Sequence, residues 1–151
     1  MAYKTILVCL NELKRLPQLI AAARQLGSTF DAHVTGLFVI PGVEVYPNPD
    51  LVSPIPFDDA NRRKYQEKLA KVRKEFESGM KKDGISFDFH EVDATAPQIG
   101  PDVAKEARAA DLIVVSATDR DAWTGVEPDF VERLVIAAGT PTLILPFKGD
   151  G

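Results

Sequence analysis

The chain has 151 residues, a length that suits one domain able to bury roughly two thirds of the surface its unfolded form exposes. Hydrophobic residues make up 45% and charged residues 26%, an ordinary soluble globular balance, and the net charge of -4 removes the electrostatic case for a nucleic-acid partner. Cys9 is the only cysteine and lies in an apolar run, so it has no mate for an internal disulfide and reads as a small buried hydrophobe in a reducing compartment. No apolar run approaches the roughly 20 residues of a membrane span, and the start lacks the basic, apolar and cleavable regions of a leader, so the expected location is the cytoplasm.

In chain order, Thr5 to Leu10 is a short continuous apolar run, the pattern of a strand covered on both faces. Leu13, Leu16, Ile20, Ala23 and Leu26 then recur at helical spacing, with Pro17 tolerable in the first turn and Gly27 expected as a left-handed stop. His33 to Ile40 reads as the second strand, ended by Pro41, and completes a βαβ unit. Between Pro41 and Asp59, the prolines at 41, 47, 49, 54 and 56 argue against a helix or a central strand. This stiffened loop is either a lid or a surface strap packed by Val45, Tyr46, Leu51 and Ile55.

Asp58 to Asp83 carries the strongest helical signal, because Tyr65, Leu69, Val72, Phe76 and Met80 fall on one face. Its other face mixes Arg62, Arg63, Lys64, Lys68, Lys71, Arg73 and Lys74 with five acids, and reads as a solvated surface ahead of an anion site. Ile85, Phe87 and Phe89 alternate with Ser86, Asp88 and His90, which marks a half-exposed strand near a sheet edge with His90 toward solvent. Pro101 and Asp102 open a shorter helix with Val103, Ala104, Ala107 and Ala110, before a buried-type strand from Leu112 to Ser116. The last helix is expected from about Asp129 to Ala138, with Phe130, Leu134 and Ala137 inward and Gly139 as its cap, followed by the strand Thr142 to Leu145. Strands alternating with helices in this way predict one domain spanning residues 1–151, an α/β doubly wound parallel sheet of five strands with helices on both faces.

In such a sheet the ligand crevice lies at the carboxyl ends of the strands, and a helix amino terminus there favours phosphate. Here the loop after Ser116 carries Asp119, Asp121, Glu127 and Asp129 against Arg120 alone, so a polyphosphate would be repelled. Pro128 has no amide to offer, and Asp129 is expected to cap its own helix, its carboxylate taking the place of an anion. Trp123 would plug the empty site, anchor a partner, or pack on the last helix.

The opening Tyr3-Lys-Thr-Ile-Leu-Val8, the segment Ala109 to Ser116 and the ending Val131 to Pro146 resemble the universal stress protein family over nearly the full length. The resemblance implies an adenine nucleotide alpha-hydrolase-like fold with strand order 3-2-1-4-5. It also implies a nucleotide crevice between strands one and four, and a homodimer whose last strands meet through Thr142, Leu143, Ile144 and Leu145. ATP-binding members carry an acidic residue after the first strand, where this chain has Asn11. After the fourth strand they place glycines where bare backbone must approach the triphosphate, whereas this chain has Ala117, Arg120 and the pair Pro128-Asp129.

Leu10, Asn11, Val39, Ser116, Ala117, Thr118 and Asp129 are therefore a vestigial nucleotide pocket. They read either as a site for an uncharged or adenosine-like ligand or as ordinary strand ends under the proline-rich loop. The leading expectation is a dimeric stress-response module that does not bind ATP and acts through protein contacts. Its cofactor is expected to be none, and its protein partner is unknown. The alternatives are a sensor of ATP, AMP or another small ligand and, third, a weak nucleotide hydrolase using Asp119, Asp121 and Asp129 around a metal. No Gly-Lys-Ser or Gly-Lys-Thr ending and no Gly-x-Ser-x-Gly elbow occurs, so neither a catalytic nor a metal residue is assigned.

Overall fold

The computed structural model describes residues 3–42, 44–46, 55–57, 59–96, 98–118 and 126–146. Strand β1 (Thr5–Cys9) leads through a short 3-10 turn into α1 (Leu16–Phe30) and β2 (His33–Ile40). Two short strands, β3 (Glu44–Tyr46) and β4 (Ile55–Phe57), precede the long helix α2 (Asp59–Lys82). The chain continues through β5 (Phe87–Asp93), α3 (Gly100–Ala107), β6 (Leu112–Ser116), α4 (Phe130–Ala138) and β7 (Thr142–Leu145). The main sheet has the order β5-β2-β1-β6-β7 and every pairing in it is parallel. Counting only its own strands this is 3-2-1-4-5, so the expected topology holds.

Alternation along the strands divides the core in two. Ile6, Val8 and Leu10 pack with Val34, Phe38 and Val114 under α1 and α2, while Leu7, Cys9, Leu37, Val39 and Val115 pack under α3 and α4. Both faces are covered, which is why β1 and β6 read as unbroken apolar runs. Tyr65, Val72, Phe76 and Met80 of α2 are buried as the stripe predicts, with Leu69 at its margin. One ring dictates a residue of β2: a Cβ on Gly36 would stand 2.8 Å from two carbons of Phe76.

Several local expectations need correction. Gly27 does not end α1, which runs on to Phe30 and closes at Asp31 in the left-handed conformation. Gly27 is required by contact instead, since a Cβ there would lie 3.0 Å from Val34 Cγ2 and 3.1 Å from Ile85 Cγ2. The segment after Pro41 is not loop throughout, because β3 and β4 form an antiparallel ladder that pairs Val45 with Pro56. A two-stranded ladder has two edges, so a proline without an N–H is tolerated in it. Residues 47–54, including Leu51 and most of the proposed lid or strap, lie outside the described residues. In α4 the buried line follows steps of four, Phe130, Leu134 and then the half-buried Ala138, which leaves Ala137 exposed. Gly139 does cap that helix with a φ of 63°. His90 is half-exposed but engaged, with Nε2 at 2.6 Å from Asp88 and Nδ1 at 3.5 Å from Glu106.

Candidate functional site

The carboxyl ends of β1 and β6 form the crevice where an open α/β sheet receives its ligand. The described residues there enclose a cavity of only about 10 Å³, lined by Cys9, Asn11, Glu12, Val115, Ser116, Thr118, Val126 and Phe130. That is barely room for one water. Val126 and Phe130 are buried and belong to the α3/α4 core, so part of the lining is apolar.

Asn11 is tied into the fold by three hydrogen bonds. Its Nδ2 donates to the Val39 carbonyl at 2.7 Å, its Oδ1 accepts from the Val39 amide at 2.9 Å, and its carbonyl accepts the Tyr65 hydroxyl at 2.8 Å. The side-chain amide continues the β1–β2 ladder one step beyond the backbone, where β1 ends. Burial pushes the Tyr65 phenol well above its ordinary range, with the Glu12 carboxylate adding to the effect. The Cys9 thiol is pushed up to about 12, chiefly by burial, with Glu127 and Glu12 further opposing a thiolate. Cys9 is thus an inert core thiol.

Two carboxylates lie near the crevice, Glu12 in its lining and Glu127 close enough to act on Cys9. Glu12 follows Asn11 and is buried. Glu127 reaches across to the start of α3, where its Oε1 accepts from the Gly100 amide at 2.8 Å and its Oε2 from the Ile99 amide at 3.2 Å. A helix amino terminus that would suit a phosphate is therefore occupied by the chain's own carboxylate. The acid that fills such a place is Glu127 on α3, not Asp129 on α4. Asp129 makes no capping bond with its side chain, is half exposed, and pairs instead with Arg133 one turn on. The physical reason is competition: a guanidinium four residues away offers a stronger partner than a solvated amide.

Of the sequence-selected positions, Asn11, Ser116 and Thr118 line the small cavity. Ser116 donates to the Ala117 carbonyl at 3.0 Å and Thr118 to the Pro128 carbonyl at 3.1 Å. Leu10 turns to the α1/α2 side, Val39 is buried behind Cys9, and Ala117 and Asp129 stand outside the lining. Glu12, Val126 and Phe130 were not singled out as lining residues; their only sequence signal is position beside a strand end or a helix start. Asp119, Arg120, Asp121 and Trp123 lie outside the described residues. Among the described residues no group of three His, Cys, Asp or Glu side chains is arranged to hold a metal ion, and no helix is long and apolar enough to cross a membrane.

No protein-family model and no curated protein matches the chain. Solved structures do. A universal stress protein family member from Burkholderia pseudomallei is 20% identical with a TM-score of 0.68, over 95% of this chain and 96% of that one. The universal stress protein from Archaeoglobus fulgidus in complex with dAMP is 16% identical with a TM-score of 0.61, over 95% and 98% of the two chains. A family protein from Arabidopsis thaliana with AMP bound is 15% identical with a TM-score of 0.60, over 97% and 94%. At these identities the likeness establishes the fold that the sequence resemblance implied.

Proposed function

We propose that this chain is a single universal-stress-protein-like domain of the cytoplasm that works through contact with a second copy of itself and a protein partner, its nucleotide crevice closed. One observation carries the reading: among the described residues, the cavity at the carboxyl ends of β1 and β6 has a volume of about 10 Å³. Lining and charge act together there. Phe130 and Val126 line the cavity, Asn11 is bonded to Val39 through both its amide nitrogen and its amide oxygen, and the nearby carboxylates of Glu12 and Glu127 add negative charge that disfavours a phosphate. The α3 amides an anion would seek already hold Glu127. The role in this reading is binding, and neither imidazole is among the residues that line the crevice, both lying on Asp88.

The copy-to-copy contact is supported by exposed apolar side chains on β7 and α4. Val135 and Ile136 of α4 and Leu143 and Ile144 of β7 are exposed, Ile136 to 84%. β7 pairs with β6 on one side, and its other edge is unpaired among the described residues. A short apolar edge of this kind invites strand-to-strand pairing.

A second reading rests on the likeness to structures that hold dAMP and AMP. On it, Val126 and Phe130 give way and the crevice accepts an adenine nucleotide. Thermal unfolding with AMP, cAMP, ATP and adenosine, with and without magnesium, separates the two. A site filled to about a hundredfold over its dissociation constant would raise the midpoint by roughly 5–10 °C. The expected result is no rise with any of them; a rise with AMP or ATP sinks the closed-crevice reading.

A further inference from the structure

Lys71, Lys74 and Lys82 of α2 and Arg24 of α1 line one open groove of about 500 Å³ between the two helices. Along α2 alone those lysines belong to a mixed, solvated face; the groove exists because α1 lies alongside. Its base is apolar and tight. The buried Ile20 of α1 rests against Gly79, where a Cβ would stand 2.7 Å from Ile20 Cγ2. The missing side chain brings the helices together there, and the long side chains around the contact make the walls, with their aliphatic stems adding to the apolar base.

Charge is uneven along this groove. At one end Arg24 donates through Nε to Asp83 Oδ2 at 3.0 Å, which anchors the guanidinium and leaves its two terminal nitrogens for another acceptor. Lys82 is close enough to the same carboxylate to act on it. Lys74 and Lys71 lie roughly 12 Å and 16 Å back along the axis of α2, at the other end. Glu75 stands in the lining between the two ends, 4.0 Å from Lys71, an exposed pair of little strength. Four cations thus meet two carboxylates, in a chain whose net charge is -4.

Such a pattern selects among anions. A single phosphate group is too short to reach both ends. A nucleic-acid strand carries charge at every step and would lay phosphate against Glu75. A helical peptide can set carboxylates about two to three turns apart and place uncharged residues over Glu75 and Ile20.

We propose that the groove between α1 and α2 is a docking site for an acidic helical segment of a partner protein, whose carboxylates pair with Lys71 and Lys74 at one end and with Arg24 and Lys82 at the other. This rests on the reading of the chain as a module that works through a protein partner, and not on closure of the crevice. The nucleotide series can therefore fail while the groove still binds, and the reverse.

The probe is a synthetic helical peptide with pairs of Glu two to three turns apart and Leu and Ala between them, titrated into the isotope-labelled whole chain and followed by NMR. The Glu peptide should shift amide resonances around Arg24 and Gly79, and the same peptide with Gln for Glu should not. A single-stranded RNA oligonucleotide of equal charge should bind at least about fivefold more weakly. Lys74→Glu combined with Lys82→Glu, at two exposed positions, should weaken the Glu peptide by about tenfold. Lys64→Glu combined with Lys68→Glu makes the same charge change on the same helix outside the groove lining, and should alter affinity by less than about twofold. Equal losses in the two double variants, or RNA bound as tightly as the Glu peptide, would reduce the effect to general attraction of polyanions and overturn the proposal. Unmoved resonances at millimolar Glu peptide would overturn it as well.

Discussion

Asn11 shows how one amide can finish a strand. Its donor and acceptor are both spent on Val39, and the Tyr65 hydroxyl takes its carbonyl, so the residue that marks the end of β1 in sequence is a structural bracket in space. Glu127 performs a comparable service for α3, supplying acceptors to two amides that the helix itself cannot satisfy. Glu127→Gln keeps the size but gives up the charge and one acceptor. Urea unfolding should register a loss of about 1–2 kcal/mol for this substitution. Unaltered stability would mean that water replaces the carboxylate without cost. Burial at Cys9 leads to a further expectation: with its thiol pushed up to about 12, alkylation should proceed at the rate of global unfolding and not at that of a surface thiol.

Among the elements, β2 and α2 are matched through a glycine and a ring. A methyl group on Gly36 would itself favour the strand by about 0.5–1 kcal/mol. The Phe76 ring at 2.8 Å from that methyl reverses the sign, because overpacking a filled core costs about 1–3 kcal/mol. Gly36→Ala should therefore be destabilised by about 1–2 kcal/mol net in chemical denaturation, and adding Phe76→Leu should recover part of the loss. Failure of the second change to recover anything would place the strain elsewhere. Helix α2 was legible in sequence because its stripe, Tyr65 to Met80, is long and strictly periodic. The same reasoning misplaced the end of α1, since Gly27 offers identical residue chemistry whether it caps a helix or admits a neighbour's side chains. Ala137 was misassigned for a related reason: at the last turn of a helix, spacing no longer says which residues still have an element facing them.

For the whole molecule, the two cores account for a sheet covered on both sides except at β7, where Leu143 and Ile144 remain exposed on opposite faces, and Val135 and Ile136 of α4 are exposed as well. If this end meets a second copy, Ile136→Asp combined with Ile144→Lys should convert a dimer to a monomer in size-exclusion chromatography with light scattering, leaving the fold intact. A natural chain that is monomeric at high micromolar concentration would remove the dimer from the proposal. What the sequence determined by itself was the order of the main-sheet strands and their helices along the chain and the fold class they build, because periodicity, prolines and the unbroken apolar runs of strands covered on both faces are local signals, whereas the short β3–β4 ladder went unread. Tertiary structure alone decided that Val126 and Phe130 line the crevice, that Glu127 and not Asp129 holds a helix end, and that both histidines share Asp88. These depend on which side chains meet across 28 or 55 positions of chain, and no local pattern encodes such a meeting.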